Sequence, residues 1–308
     1  MNSRSSEIVV IGSGGQARVV ISACRAAGRF VAAVYDDDSR KWGQSLFDSP
    51  ILGPVEAIST HHAGCEVIIG IGDAFARRNV AERLKLDWGT VVHPHAYVDP
   101  SVHLGPGTVV FAGSVIQPEC RVGAHGIVNT GATVDHNCVL EDFVQVAPGA
   151  NLCGNVMVHE GAFIGANSVI LENIQVGRWS IVGAGATVNR HVPDGVVVVG
   201  CPARVLKSLE YPRDPKERDQ LKDDRIRRTA ETVIQRVWAE SGRPVRPLTE
   251  HDTFTGSLQL DSLDLAVMVV ALEEELGIDP FREGAAPVPT FGEMVKLYEQ
   301  YAARTPHD

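Results

Sequence analysis

Aliphatic residues recur at every sixth position between Val98 and Val188. A smaller or modestly apolar residue stands two positions before each of them, from Ala96 to Ala186. Neither the 3.6-residue period of a helix nor the two-residue period of a strand produces this pattern, whereas a hexapeptide repeat is typical of a parallel β-helix. Because three hexads make one triangular coil, the run predicts a little over five coils. The sixteen aliphatic positions are Val98, Leu104, Val110, Ile116, Val122, Val128, Val134, Leu140, Val146, Leu152, Val158, Ile164, Ile170, Val176, Val182 and Val188.

A different pattern precedes the repeat. An apolar strand from Glu7 runs into a glycine turn, a helical pattern follows to Arg29, and further strands are expected at 30–35 and 66–71. This order predicts a small Rossmann-like α/β domain over residues 1–89, before a β-helix over 90–206. Glycines at such a turn let backbone N–H groups approach a phosphate, and acids after the second strand can accept hydrogen bonds from a ribose or base. A purely structural turn, with acids that cap the next turn, is the alternative. The candidates from this reasoning are Gly12, Gly14, Gly15, Asp36 and Asp37.

The C-terminal part of the chain is acidic and helical. A charged, proline-broken stretch at 207–224 reads as a solvated linker. Helical patterns follow within 225–308, where residues 250–299 contain eleven Asp or Glu against two Lys or Arg. The sequence Asp261-Ser262-Leu263 opens an amphipathic helix that ends near Leu276.

This segment resembles an acyl carrier protein. The resemblance implies that Ser262 carries 4′-phosphopantetheine, added by a phosphopantetheinyl transferase, and that its thiol holds an acyl group. The physics is consistent, because the dipole of a helix favours a phosphodiester at its N-terminus. The alternative is that Ser262 is simply the N-cap of the helix.

The segment Gly131-Ala-Thr-Val-Asp-His136 lies within the repeat and resembles the histidine motif of NeuD/PglD-type sugar acyltransferases. The resemblance extends over much of residues 7–206, through the glycine loop and the Gly200-Cys-Pro-Ala-Arg exit. It implies a left-handed β-helix, a homotrimer with active sites between neighbouring prisms, and His136 as the general base. Histidine suits this role because its ordinary pKa lies near neutrality.

The resemblance also assigns further site residues. Asn129 would help to place the sugar amine, and the Gly154 N–H would face the thioester carbonyl and stabilise the oxyanion. The remaining substrate-site candidates are Gln16, Gly72 and Asp73, and the acyl-donor candidates are Gln145, Gly183, Ala184 and Gly185.

Three positions depart from the family pattern. Asn137 stands where the family usually has an acid that orients the histidine, and Gln16 and Gln145 stand where it commonly has histidine. An amide can hold a ring nitrogen but cannot stabilise an imidazolium by charge. Asp135 is a poor substitute, because adjacent strand residues point to opposite faces.

Composition excludes several classes of protein. The formal net charge of −10 argues against a nucleic-acid partner, and no stretch is apolar enough for a membrane span or a signal peptide. The six cysteines form no Cys-x-x-Cys pair, so neither structural zinc nor a disulfide framework is expected, and a cytoplasmic location fits best. The histidines also lack the spacing of the zinc-binding β-helix carbonic anhydrases, so no metal is expected.

Together these features predict an N-acyltransferase that acts on the amine of a nucleotide-linked amino sugar. The acyl group would arrive from acyl-coenzyme A or from the carrier domain. Two alternatives remain open at this point: an O-acyltransferase for a sugar hydroxyl, as with sialic acid, and an inactive trimeric platform whose carrier serves another enzyme.

Overall fold

The computed structural model describes residues 7–209, 215–240, 246–282 and 284–304. The chain forms two compact units, Met1–Tyr211 and Pro212–Asp308. The first unit contains both the α/β domain and the β-helix, and the second contains the carrier segment.

The α/β domain is built on a parallel sheet of four strands. Their order across the sheet is β2 (Phe30–Tyr35), β1 (Glu7–Ile11), β5 (Glu66–Ile69) and β6 (Asp87–Trp88). Strand β1 is buried from Ile8 to Ile11 and pairs with β2 on one side and β5 on the other. The predicted Rossmann-like domain is confirmed, although the strand expected over 66–71 ends at Ile69. Its strands are β1 (Glu7–Ile11), β2 (Phe30–Tyr35), β3 (Ser45–Leu46), β4 (Ser49–Pro50), β5 (Glu66–Ile69) and β6 (Asp87–Trp88), and its helices are α1 (Gly15–Ala26), α2 (Ile58–His61) and α3 (Ala74–Arg83).

The β-helix has three parallel sheets, which we call faces 1, 2 and 3. Face 1 consists of Val91–Val92, Val109–Val110, Ile127–Val128, Gln145–Val146, Phe163–Ile164, Ile181–Val182 and Val196–Val199, with Arg204–Ser208 added antiparallel at its edge. Face 2 consists of Tyr97–Val98, Val115–Ile116, Thr133–Val134, Asn151–Leu152, Val169–Ile170 and Thr187–Val188. Face 3 consists of His103–Leu104, Arg121–Val122, Val139–Leu140, Met157–Val158 and Gln175–Val176.

The hexad predicted the interior of this domain. The aliphatic residues from Val110 to Val188 are buried and form one continuous core with the smaller inward residues, such as Cys120 and Cys138. The structure has about seven turns rather than a little over five, because strands Val91–Val92 and Val196–Val199 extend face 1 beyond the repeat.

The three corners of the prism turn through left-handed backbone, with φ values of 54–76°. This region is natural for glycine and tolerated by asparagine. We name each corner by the faces that it joins. Corner 1–2 uses Gly113, Gly131, Gly149, Asn167 and Gly185, corner 2–3 uses Glu119, Asn137, Asn155 and Asn173, and corner 3–1 uses Gly107, His125, Phe143, Gly161 and Trp179.

The α/β domain is anchored to the β-helix by a buried arginine that sequence reasoning missed. Arg77 of α3 is 1% exposed, and its guanidinium donates to the carbonyls of Gly72 at 2.5 Å, Phe143 at 2.8 Å and His125 at 3.3 Å. Burial lowers the pKa of Arg77 to about 10, which still leaves it charged at neutral pH. Helix α1 reinforces the junction, since its residue Val20 shares a core with Ile127 of face 1. Nothing in the local sequence distinguishes Arg77 from a surface arginine.

The carrier segment contains three described helices, α4 (Pro215–Glu240), α5 (Ser262–Leu276) and α6 (Phe291–Arg304). Their apolar faces share a core that includes Val233, Leu272 and Phe291. The prediction of a flexible linker over 207–224 was wrong in part, because α4 begins at Pro215, ten residues before the expected helix start. Proline is favourable in the first turn of a helix, and the lysine, glutamate and arginine that follow it are good helix formers.

Candidate active site and carrier site

His136 lies at corner 2–3, directly after strand Thr133–Val134, and is exposed. Its Nδ1 is 2.9 Å from Oδ1 of Asn137, which has a φ of 58°. An amide oxygen can only accept, so in the neutral ring this contact favours the tautomer with the proton on Nδ1 and a lone pair on Nε2. Asn137 therefore orients the ring as the family acid would, without a charge.

Gly154 occupies the same position one coil later and is buried beside the histidine ring. A Cβ at this position would be 2.7 Å from both Cε1 and Nε2 of His136, so the close approach requires glycine. The backbone N–H of Gly154 has no hydrogen-bond acceptor among the described residues. The structure thus brings the predicted base and the predicted oxyanion donor together.

Asp135 does not orient the imidazole. Its Oδ1 accepts a hydrogen bond from the backbone N–H of His136 at 2.8 Å, so the carboxylate is engaged with the main chain. This agrees with the expectation that Asp135 is a poor substitute for the missing acid.

The other predicted β-helix residues lie elsewhere on the prism. Asn129 follows strand Ile127–Val128 at corner 1–2, and Gly183, Ala184 and Gly185 lie at the same corner three coils later. Gln145 is on face 1, half-buried. Face 2 separates corner 1–2 from His136, so within one chain these residues are not part of the His136 corner.

The glycine loop of the α/β domain lies where β1 and β5 end side by side. Gly12 has a φ of 92°, and Gly14 and Gly15 are exposed at the start of α1, with open space around them. The side-chain Nε2 of Gln16 is buried and has no hydrogen-bond partner in the part of the chain that the structure describes. A Cβ on Gly72 would lie 3.9 Å from the Cβ of Gln16. The structure therefore brings Gln16 and Gly72 together beside the loop.

The acids of this domain make structural hydrogen bonds. Asp36 accepts from the backbone N–H of Ser13 at 2.9 Å and from its hydroxyl, which ties the glycine loop to the end of β2. Asp37 accepts from the backbone N–H of Val55 at 3.0 Å. Asp36 also accepts from the backbone N–H of Asp38 at 2.9 Å, and this local bond is the turn-capping role that the sequence left open as an alternative.

Asp73 has a capping role as well. It is the N-cap of α3, and its Oδ1 accepts from the backbone N–H of Ala76 at 2.7 Å. Contacts of Asp36, Asp37 and Asp73 with a nucleotide sugar stay predictions.

The carrier serine is the first residue of α5. The N-cap is Asp261, whose carboxylate accepts from the backbone N–H groups of Leu263 and Asp264, each at 2.8 Å. The alternative that Ser262 is simply an N-cap was therefore wrong. Next to the serine, Leu263 is 72% exposed, and Val267 and Val270 continue an exposed apolar stripe along α5.

The described residues contain no group of His, Cys, Asp and Glu side chains arranged to hold a metal ion. They also contain no helix that is long and apolar enough to cross a membrane.

Comparison with known families matches three parts of the chain. Residues 7–84 match the PglD N-terminal domain, residues 155–190 the bacterial transferase hexapeptide repeat, and residues 232–297 the phosphopantetheine attachment site.

Solved structures match the first two parts. A variant of perosamine N-acetyltransferase from Caulobacter crescentus, in complex with CoA and GDP-perosamine, is 34% identical, with a TM-score of 0.63 over 66% of this chain and 97% of that one. The acetyltransferase domain of PglB from Neisseria gonorrhoeae, in complex with acetyl coenzyme A, is 33% identical, with a TM-score of 0.62 over 66% and 100%. WeeI from Acinetobacter baumannii is 29% identical, with a TM-score of 0.60 over 65% and 99%.

The fold, the histidine corner and these matches define an acyltransferase of the hexapeptide β-helix class. More particularly, the chain belongs to the PglD-type sugar acyltransferases and carries a phosphopantetheine-binding carrier domain at its C-terminus.

Proposed function

We propose that the protein transfers an acyl group from a pantetheine thioester to the amine of a nucleotide-linked amino sugar. One observation carries the proposal: the His136 ring, with its Nε2, lies beside Gly154, whose backbone N–H has no hydrogen-bond acceptor among the described residues. A base and an oxyanion donor are the two groups that acyl transfer from a thioester requires.

The chemistry follows from these two groups. The amine attacks the thioester carbonyl, a C–N bond forms, and His136 Nε2 takes the amine proton. The Gly154 N–H stabilises the oxyanion of the tetrahedral intermediate. When this intermediate collapses the C–S bond breaks, and the protonated His136 returns the proton to the leaving sulfur, so the products are an amide and a free thiol.

The matched structures support the choice of substrates. The Caulobacter crescentus enzyme binds GDP-perosamine and CoA, and the gonococcal domain binds acetyl coenzyme A. In this chain the glycine loop, with Gln16 and Gly72 beside it, is the place that we assign to the nucleotide sugar. Coenzyme A would lie along Gly183, Ala184 and Gly185.

Ser262 is the residue that would hold 4′-phosphopantetheine. It is not needed as the cap of α5, and the helix N-terminus favours a phosphodiester there. When bound, the group supplies a thioester-linked acyl chain. We assign its attachment to a phosphopantetheinyl transferase.

The division of site residues between two corners supports a homotrimer. About four residues of face 2 separate corner 1–2 from corner 2–3, which at ~3.3 Å per residue is more than 10 Å. If corner 2–3 of one chain packs against corner 1–2 of the next, His136 lies close to the partner subunit's Asn129 and to the acyl-donor residues proposed at that corner. Light scattering should give three times the chain mass of 33.1 kDa, and a monomer would contradict a shared site.

The function is tested by incubating the protein with acetyl-coenzyme A and a panel of nucleotide-linked amino sugars that includes GDP-perosamine. We expect release of free coenzyme A and a product with a hydroxylamine-stable amide. A hydroxylamine-labile ester would identify an O-acyltransferase. No turnover with any amino sugar would favour the inactive platform, the alternative that is favoured by Asn137 in place of the family's acid.

A further inference from the structure

Cys138 lies inside the β-helix, two residues after His136, and is fully buried. Its Sγ donates a hydrogen bond to the carbonyl oxygen of Cys153 at a distance of 3.2 Å. No other described residue donates to that oxygen. This carbonyl and the Gly154 N–H belong to the same peptide group. The thiol therefore donates a hydrogen bond to the oxygen of the peptide whose N–H is the proposed oxyanion donor.

We propose that Cys138 is a positioning residue that orients and polarises the Gly154 N–H, an inference that rests on the proposed acyl transfer. A hydrogen bond to an amide oxygen withdraws electron density and strengthens the N–H of the same amide by roughly 10–30%. The bond also fixes the plane of a peptide that precedes a glycine and would otherwise rotate more freely. Both effects act on the group that meets the developing negative charge.

The thiol keeps its proton in this environment. The neighbouring thiol of Cys120 and burial in the core both raise the pKa of Cys138 well above its ordinary value. Cys138 therefore keeps its proton at neutral pH and acts as a hydrogen-bond donor, not as a nucleophile.

The same kind of bond, to a carbonyl fifteen residues later, recurs elsewhere in the β-helix. Cys120 Sγ donates to Asp135 at 2.9 Å, and Thr108 Oγ1 donates to Gly123 at 2.8 Å. Thr108 is fully buried, so a hydroxyl fits at this inward position as well as a thiol does. Thr108 bonds at corner 3–1, which makes it a matched control away from His136.

The test compares Cys138→Ala, Cys138→Ser and Thr108→Val in the full-length chain. Each is assayed with acetyl-coenzyme A and the amino sugar that the wild-type protein acylates. We expect Cys138→Ala to lower kcat about three- to tenfold with KM unchanged, because an interaction made only in the transition state is weakened. Cys138→Ser keeps a donor and should restore kcat to within about twofold of wild type. Thr108→Val loses the same kind of bond and should keep wild-type kcat.

The outcomes separate the two proposals. Wild-type kcat in Cys138→Ala, together with a large loss in His136→Ala, would overturn the role of Cys138 and leave acyl transfer intact. Equal losses in Cys138→Ala, Cys138→Ser and Thr108→Val would show that the bond serves the fold alone. Undiminished turnover in His136→Ala would remove the proposed function, and the inference with it.

Discussion

At the residue scale, the candidate site depends on a few groups held by the coil repeat. His136 and Gly154 are eighteen residues apart, one coil, so the pitch of the β-helix sets their separation. The left-handed backbone of Asn137 aims its amide at the ring. Small changes at these positions test the mechanism directly.

Replacement of His136 with alanine should lower turnover by roughly 100- to 10,000-fold, the usual range for a lost general base. Substrate binding should change little, because His136 is assigned to proton transfer. Steady-state kinetics and coenzyme A binding by calorimetry would check both statements. Near-normal turnover would assign proton removal to another group or show that the amine arrives deprotonated.

Asn137→Asp should raise the plateau of kcat by about two- to tenfold and move the acidic limb of the pH–rate profile to higher pH. A carboxylate beside the ring stabilises the imidazolium that forms as the amine loses its proton. Asn155→Asp is the matched control, since Asn155 has the same left-handed backbone one coil later, with a φ of 58°. A pH profile unchanged in Asn137→Asp would mean that charge at this position is unimportant.

At the element scale, two features lead to predictions. The start of α5 concerns phosphopantetheine attachment, and the buried junction between the α/β domain and the β-helix concerns stability in acid. Ser262 is the first residue of α5, and Asp261 caps the helix. At the junction, His125 is 4% exposed and its ring stacks on Phe143 at 5.3 Å between centroids. Its Nδ1 has no hydrogen-bond partner among the described residues.

Ser262→Ala should abolish modification by a phosphopantetheinyl transferase without loss of helical structure. The cap of α5 is supplied by Asp261, so the serine hydroxyl is not required for the fold. Intact mass after incubation with the transferase and coenzyme A gives the result, and circular dichroism gives the control. A phosphopantetheine mass increase on the variant would assign another attachment site.

The junction should lose stability in acid. Burial, with a smaller effect of Arg77, lowers the pKa of His125 to about 4. Since this is below the unfolded value of ~6.5, the unfolded chain binds more protons, and stability present above pH ~6.5 is lost as pH falls towards 4. The loss is on the order of 3 kcal/mol.

Urea denaturation at pH 7 and pH 4.5 measures this effect. His125→Asn keeps a residue that tolerates the φ of 55° at this position and removes the titrating group. We expect the free energy of unfolding to fall less between the two pH values in the variant than in the wild type. Equal falls would assign the acid sensitivity to other groups.

At the scale of the whole molecule, the chain joins a transferase to a phosphopantetheine-binding carrier domain. The segment 209–214 is all that separates strand Arg204–Ser208 from α4. A short tether of this kind raises the effective concentration of a carrier to about millimolar. Because α4 begins at Pro215, residues 215–224 of the predicted linker are helical and not a coil.

Acyl-loaded holo-protein should therefore acylate a nucleotide-linked amino sugar in a single turnover without free coenzyme A. Once trimers have formed, the rate should not depend on protein concentration. A mixture of loaded His136→Ala protein with Ser262→Ala protein is the control, and its transfer should rise with concentration. A carrier that stays loaded while acetyl-coenzyme A supports turnover in Ser262→Ala would show that it serves another enzyme.

The sequence by itself determined the β-helix, the α/β domain and the carrier. A strict period of six is typical of a parallel β-helix, and the aliphatic residues of the repeat from Val110 to Val188, such as Val146, are buried where the period places them. The motif around His136 and the serine at the start of α5 are local in sequence, so they could be read without coordinates.

Only the tertiary structure decided what depends on distant partners. Arg77 is buried because it meets carbonyls of two other coils, at His125 and Phe143, and a single-residue pattern does not encode such contacts. Asp36 ties down the glycine loop because the parallel sheet places β2 next to β1, and its position after an apolar run does not reveal this contact. The thiol of Cys138 reaches the peptide before Gly154 because stacked coils bring residues fifteen apart into contact.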